Sequence, residues 1–231
     1  METPLKHLKN GLLALFLKSN CPLCNRPAEG ELCIFCQRQL QRCQLATPSA
    51  LWTGELPVFV WAHYSGLVKR AIAALKYENQ PQLARPLGQW LGQAWRTSSL
   101  PHRTQKLTVV PIPLHTAKLQ QRGYNQAERI SLSFCEVTGY LHQPLGLERV
   151  RATEAQFGLS AQAREQNLAS AFVLGKRFHT HPPNTPVLLV DDIYTTGATV
   201  RSAARLLQQQ GIQVYGVVAI ATSAFNESRT G

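Results

Sequence analysis

The sequence has no apolar run that approaches the roughly 18 residues of a membrane-spanning helix. It also has no internal repeat and no low-complexity tract. Hydrophobic residues make up 44% of its 231 residues, which excludes a disordered tail and a collagen-like polymer. We therefore expect a folded chain without a membrane span, long enough for one medium domain and a small module.

Acidic residues are scarce. There are 13 Asp and Glu residues against 24 Lys and Arg residues, which gives a formal net charge of +11. An excess of this size favours a polyanionic partner, such as nucleic acid, an anionic lipid or a phosphorylated small molecule. The histidines show no metal-ligand spacing, so we assign them no metal.

The first 20 residues carry apolar side chains at helical spacing. These are Leu5, Leu8, Leu12, Leu15 and Phe16. The pattern predicts an amphipathic helix over residues 1–20 that packs onto the protein. The alternative is a secretion signal, but Lys18 ends the apolar stretch early and no small-residue cleavage site follows. We therefore expect a cytoplasmic protein.

Five of the six cysteines lie in residues 21–43. Four of them form two Cys-x-x-Cys pairs: Cys21, Cys24, Cys33 and Cys36. Each tight turn directs two thiolates at one point, and two such turns complete a tetrahedron around Zn²⁺. The pattern predicts a small structural zinc ribbon. A pair of disulfides is disfavoured in a reducing compartment, and a redox Cys-x-x-Cys normally stands alone beside a βαβ unit.

The rest of the chain alternates between strand and helix patterns. We predict a linker over residues 44–57 and a main domain over 58–225. Within it, strands are expected at 58–64, 107–112, 172–174, 187–190 and 214–221, and helices at 67–77, 82–95, 126–138 and 199–210. The last strand–helix–strand series is a βαβ unit, which indicates an α/β fold with a parallel sheet.

The segment after the strand at 187–190 has the composition of a sugar-phosphate site. Asp191 and Asp192 come at the strand's carboxyl end, where open α/β sheets bind ligands. A small, hydroxyl-rich turn follows and opens a helix, through Thr195, Thr196, Gly197, Ala198 and Thr199. Backbone amides and a helix N-terminus suit a phosphate, and the carboxylates suit ribose hydroxyls. The alternative, in which Asp192 or Thr195 merely caps the helix, explains one residue of the set.

This segment resembles the phosphoribosyl pyrophosphate (PRPP) motif of type I phosphoribosyltransferases. Other stretches are similar to the ComF/GntX family of competence and DNA-utilisation proteins: 64–66, 75–77, 109–115, 121–128 and 151–167, together with the four-cysteine module. The resemblance covers roughly residues 12–222 in order. It implies a type I phosphoribosyltransferase-like parallel sheet with flanking helices and a small N-terminal zinc ribbon.

The resemblance also implies roles for particular residues. Asp191 and Asp192 would hold the ribose hydroxyls of PRPP, directly or through Mg²⁺, and residues 195–199 would cradle its 5-phosphate. Leu114 and His115 would face the diphosphate. Residues 149–167 would form a hood, with Arg151, Thr153, Gln156 and Arg164 as candidate contacts; the alternative is a solvated loop. Lys76 would reach the pyrophosphate end or remain a solvated helix lysine.

The basic residues suggest a second ligand. The candidates for nucleic-acid contact are Lys69, Arg70, Lys76, Lys118 and Arg122, with Tyr64, Tyr77 and other aromatic residues between them. Such a surface can bind single-stranded DNA by charge and base stacking. The alternative is core aromatic residues with ordinary surface lysines, and we expect Trp90 and Trp95 to lie in the core.

We therefore expect a PRPP-binding protein of the ComF/GntX type that handles single-stranded DNA, for transformation or for the use of DNA as a nutrient. An ATP-driven DNA translocase is a possible partner. An active phosphoribosyltransferase acting on a base or an amine is the alternative. A PRPP-sensing regulator of duplex DNA ranks last, because there is no helix-turn-helix signature.

Overall fold

A five-stranded parallel sheet forms the centre of the computed structural model, which describes residues 20–100, 105–151 and 171–223. Its strand order is β1–β7–β6–β2–β3. The strands are β1 (Val58–His63), β2 (Thr108–Pro111), β3 (Leu141–His142), β6 (Val187–Tyr194) and β7 (Val214–Thr222). A separate antiparallel pair consists of β4 (Leu147–Arg149) and β5 (Phe172–Leu174). The predicted parallel α/β sheet is confirmed.

Seven α-helices lie in the described residues. They are α1 (Ile34–Gln41), α2 (Gly66–Tyr77), α3 (Ala84–Thr97), α4 (Thr116–Arg122), α5 (Gln126–Thr138), α6 (Lys176–Thr180) and α7 (Ala198–Gln209). The sequence pattern located α2, α3, α5 and α7. It missed α1, α4 and α6, because helices this short hold too few apolar positions to show a helical period. None of the helices in the described part of the chain is both long and apolar enough to cross a bilayer.

The two faces of the sheet bury alternate strand residues. Phe59 and Leu188 face the layer that contains α2, α3 and α5, whereas Val60 and Leu189 face the layer that contains α7. Trp95 is fully buried, and its ring lies 5.1 Å from the ring of Phe59, centroid to centroid. Trp90 is buried as well, so both tryptophans lie in the core as expected.

Residues 44–57 are not a free linker, contrary to the expectation. The Leu45 amide donates to the carbonyl of Trp61 at 2.8 Å, and the Val60 amide donates to the carbonyl of Pro48 at 2.9 Å. The ring of Trp52 lies 5.2 Å from that of Trp95. The turn-forming residues therefore bend this segment against the edge of the sheet.

The cysteine module packs on the same core. Cys33, Cys36 and Leu40 are buried in one cluster with the apolar side chains of α2 and α3. An ion pair between Glu31 and Arg85, at 2.9 Å, joins the module to α3. Loss of the module's structure would therefore expose part of the main core.

The chain connections diverge between β2 and β6. From β2 the chain runs through α4 and α5 to β3 on one side, and from β6 it runs through α7 to β7 on the other. A parallel sheet binds ligands at the carboxyl ends of the strands on either side of such a switch point. β6 also extends beyond the predicted end at Val190, since its pairing with β7 continues to Tyr194 opposite Thr222.

Candidate functional site

The four predicted metal ligands converge. The Sγ atoms of Cys21, Cys24, Cys33 and Cys36 all lie within 4.8 Å of one another. In the first turn the Asn25 amide donates to the carbonyl of Cys21 at 2.8 Å, and Asn25 has a left-handed φ of 60°. In the second, the Cys36 amide donates to Cys33 Sγ at 3.5 Å, at the start of α1.

These four thiols fit a tetrahedral metal ion. All are free, so no disulfide competes for them. Burial and the neighbouring cysteines raise the pKa of the Cys36 thiol. Burial also raises the pKa of Cys21, but hydrogen bonds from backbone amides outweigh it and lower that pKa to about 7. Because a divalent cation offsets the charge of several thiolates, the cluster can bind a metal such as zinc.

The acid pair lies in the last part of β6. Asp192 is only 3% exposed, and its Oδ2 is 2.6 Å from Nζ of Lys76. The Asp192 amide donates to Oδ1 of Asp191 at 2.8 Å. Burial raises the pKa of the Asp191 carboxyl well above its usual range, and the charge of Asp192 raises it further, although Lys76 opposes both. The pair is therefore short of positive charge, which a cation or a set of hydroxyl donors would relieve.

The α4–α5 junction positions Lys76. The Tyr124 hydroxyl donates to the carbonyl of Leu75, the residue just before Lys76 in α2. The Asn125 side chain donates to the carbonyl of Ile112 at 3.0 Å, and it caps α5 through its oxygen. The junction thus holds the end of α2 against the end of β2. This stretch, 121–128, has a structural part in the site that the sequence alone does not reveal.

Arg149 is the first residue of the predicted hood, but the sequence reasoning did not single it out as a site residue. It forms a parallel bridge with His115, which lies beyond the end of β2. Burial lowers the pKa of the Arg149 guanidinium, whereas the Asp191 carboxylate raises it. Arg149 and Lys76 thus both interact with the acid pair. No local pattern marks Arg149, since its partners come from β2 and β6.

The threonine turn lies between β6 and α7. Thr195 and Thr196 are exposed, and Gly197 is buried with a left-handed φ of 74°. A Cβ atom on Gly197 would stand 2.6 Å from the hydroxyl of Tyr194. The Arg201 side chain donates to the carbonyl of Thr196 at 2.8 Å, which adds a cation that the sequence reasoning did not single out.

The remaining residues predicted to contact PRPP lie in different parts of the fold. Ala198 and Thr199 are half-buried in the first turn of α7, and Leu114 and His115 are half-buried beyond β2. Arg151 is exposed, and its carbonyl accepts from Arg149 Nε at 3.4 Å. The other hood candidates, Thr153, Gln156 and Arg164, lie outside the described residues.

The nucleic-acid candidates also differ in their surroundings. Lys69 lies 6.0 Å from the ring centre of Tyr64, and Arg122 lies 5.6 Å from that of Tyr77. The Tyr77 residue is 76% exposed. Two cation–aromatic pairs therefore lie on the part of the surface near α2.

The other three candidates do not share one environment. Lys118 is exposed on α4. Arg70 forms a bidentate ion pair with Glu78, with distances of 2.8 and 2.9 Å. Lys76 contacts Asp192 rather than open solvent. The structure thus places Lys76 in the acid-pair site and not with the exposed lysine and arginine side chains.

The fold and the site define an α/β protein whose parallel sheet carries an acid pair and a threonine turn at its switch point and is joined to a four-cysteine module. No family model matches the chain. It is 34% identical over 159 residues to Competence protein F of Haemophilus influenzae, which covers 67% of this chain and 69% of that protein. It is 30% identical over 197 residues to the DNA utilization protein YhgH of Salmonella typhi, which covers 84% and 79%. The chain belongs to the ComF/GntX family.

Further similarities are more distant. Competence protein ComFC of Bacillus subtilis is 25% identical over 192 residues, covering 83% of this chain and 72% of that protein. Among solved structures, adenine phosphoribosyltransferase of Leishmania tarentolae is 16% identical with a TM-score of 0.40, covering 80% of this chain and 74% of that chain. A similarity as low as this carries no information on activity.

Proposed function

We propose that this protein binds PRPP with Mg²⁺ and acts in DNA uptake or in the use of DNA as a nutrient, handling single-stranded DNA in the cytoplasm. The observation that carries the PRPP part is the acid pair beside the threonine turn at the sheet's switch point. The DNA part is supported by the relatives, which are named Competence protein F and DNA utilization protein YhgH.

Each part of the site suits one part of PRPP. Asp191 and Asp192 would accept hydrogen bonds from the ribose hydroxyls or bind Mg²⁺, and residues 195–199 would hold the 5-phosphate through backbone amides. The diphosphate would lie near Leu114 and His115. Lys76 and Arg149, which both interact with the acid pair, would supply the positive charge that two phosphate groups need.

The surface near α2 suits a single strand of nucleic acid. Lys69 with Tyr64 and Arg122 with Tyr77 each combine a cation and an aromatic ring. Lys118 and the formal net charge of +11 add a long-range attraction for the phosphate backbone. Arg70 would contribute less, because Glu78 already binds its guanidinium.

Fluorescence anisotropy with a labelled single-stranded oligonucleotide tests the DNA part. We expect the logarithm of the binding constant to fall linearly with the logarithm of the salt concentration, because binding releases counterions from the oligonucleotide. Tyr77→Ala should weaken binding by about 5- to 150-fold, since stacking on one base contributes about 1–3 kcal/mol. Phe35→Ala, which removes an exposed aromatic ring on α1, is the matched control and should leave the affinity unchanged. Absence of binding at low salt would contradict the proposal.

The same PRPP site could support transfer to a base or an amine. Incubation with PRPP, Mg²⁺ and candidate acceptors should then release pyrophosphate, and the release should vanish in the Asp191→Ala, Asp192→Ala double variant. A PRPP-sensing regulator would instead bind a specific duplex with PRPP-dependent affinity. An ATP-driven DNA translocase remains a predicted partner, which co-purification from competent cells would test.

A further inference from the structure

A groove lies between the cysteine module and α3. Its volume is about 690 Å³, and Arg26, Pro27, Ile34, Phe35 and Trp90 are among the residues that line it. The groove is mainly bounded by the loop between the two cysteine turns and by the first turn of α1. It is separate from the acid-pair site, since none of its lining residues belongs to β2, β6 or the threonine turn.

Two large apolar side chains are exposed at this groove. Ile34 is 50% exposed and Phe35 is 57% exposed, although α1 buries Cys36 and Leu40 against the core. The Arg26 guanidinium covers part of the Phe35 ring, 5.2 Å from its centre. Neighbouring exposed apolar side chains in a concave surface indicate an interaction site.

The chain itself carries a segment that suits the groove. Residues 1–19 precede the described part of the chain, and their apolar side chains recur at helical spacing, as in Leu8, Leu12 and Leu15. The described chain begins at Asn20, which forms an antiparallel bridge with Pro27. Because Pro27 lines the groove, the segment starts at its wall, and so short a connection gives it a high effective concentration there.

Charge favours the same occupant. The segment carries Lys6, Lys9 and Lys18, whereas the groove wall carries Glu29 and Glu31. Acidic residues are scarce in this chain, with 13 in all. Glu31 already pairs with Arg85, and Arg26 also lines the groove. Glu29 is therefore the carboxylate placed to attract the lysines of a basic amphipathic helix.

We propose that residues 1–19 form an amphipathic helix whose apolar side chains dock in this groove against Ile34 and Phe35. The helix would cover the exposed face of α1 and so connect the N-terminal segment to the metal-binding module. Because the cysteine turns shape the groove, docking would depend on the bound metal.

Hydrogen–deuterium exchange of the full-length, zinc-loaded protein tests this docking. We expect the amides of residues 5–17 to be protected in the wild type, and to exchange about tenfold faster or more in Phe35→Asp. Leu132→Asp, a change of the same kind at an exposed leucine of α5, is the control and should leave that protection intact. Leu12→Asp alters only the docking segment, so it should abolish the protection while the zinc content stays unchanged.

Three results would overturn the docking. The first is exchange of residues 5–17 at the rate of a free peptide in the wild type. The second is protection that survives both Phe35→Asp and Leu12→Asp. The third is protection that appears only at high protein concentration or only with added oligonucleotide, which would assign the groove to a second copy or to nucleic acid.

Discussion

The cysteine module and the acid-pair site both gather ionisable groups of one kind, but their counter-charge comes from different sources. In the module, four sulfurs lie within 4.8 Å of one another and could complete the coordination shell of a tetrahedral metal. At the acid pair, the chain supplies a cation of its own, since Lys76 Nζ lies 2.6 Å from Asp192. The first arrangement suits a permanently bound structural ion, and the second suits a ligand that binds reversibly.

Removal of the metal should have the largest effect. Cys33→Ser should abolish stoichiometric zinc, measured by elemental mass spectrometry, and lower the unfolding temperature of the whole chain. Structural zinc contributes about 10–16 kcal/mol in small zinc domains, and here the module shares its core with α2 and α3. Cys43→Ser is the matched control, because Cys43 lies outside the cluster and donates to the carbonyl of Gln39. Equal losses in both variants would contradict a closed four-cysteine site.

Removal of the internal cation should have the next largest effect. Lys76→Met leaves Asp192 buried without its partner, and loss of one member of a buried pair costs about 3–5 kcal/mol. Denaturant titration should show this loss, and adding Asp192→Asn should restore most of it. Lys69→Met, at an exposed lysine of the same helix, should change stability by no more than about 0.5 kcal/mol. If Lys76→Met is as stable as the wild type, the ion pair does not neutralise the acid pair.

Neutralisation of Asp191, the other carboxylate of the acid pair, should stabilise the protein in the absence of ligand. The raised pKa of Asp191 means that the folded state binds its proton more tightly than the unfolded state does. Stability therefore falls as the pH rises from the unfolded pKa, near 3.9, through the raised pKa in the folded state. Asp191→Asn should remove that loss, raise the unfolding temperature at neutral pH by about 2–4 °C per kcal/mol gained, and abolish PRPP binding. A lower unfolding temperature in calorimetric scans would contradict this prediction.

A change in the threonine turn should have the smallest effect on stability. Gly197→Ala forces a left-handed residue to carry a Cβ, which costs about 1–2 kcal/mol, and it crowds the turn that is proposed to hold phosphate. Gly211→Ala has a similar φ, 72°, but an open surrounding. Gly197→Ala should lose at least as much stability as Gly211→Ala, and only Gly197→Ala should weaken PRPP binding. Equal PRPP affinity in the two variants would show that the threonine turn does not bind PRPP.

The features that could be predicted from the sequence were the local ones. The β6–α7–β7 unit, the two cysteine turns and the position of the acid pair each depend on residues close together in the chain. The ion pair of Lys76 with Asp192 and the electrostatic interaction of Arg149 with Asp191 could not be predicted, because helix α2, strand β4 and strand β6 meet only in the folded chain. Residues 44–57 have the composition of a linker, and only their packing on the sheet shows otherwise.

Isothermal titration calorimetry with PRPP and Mg²⁺, on the zinc-loaded protein, tests the central claim most directly. The acid pair and the threonine turn predict saturable binding at one site per chain, lost in the Asp191→Ala, Asp192→Ala double variant. A folded wild-type sample that gives no binding signal at millimolar PRPP would contradict the claim.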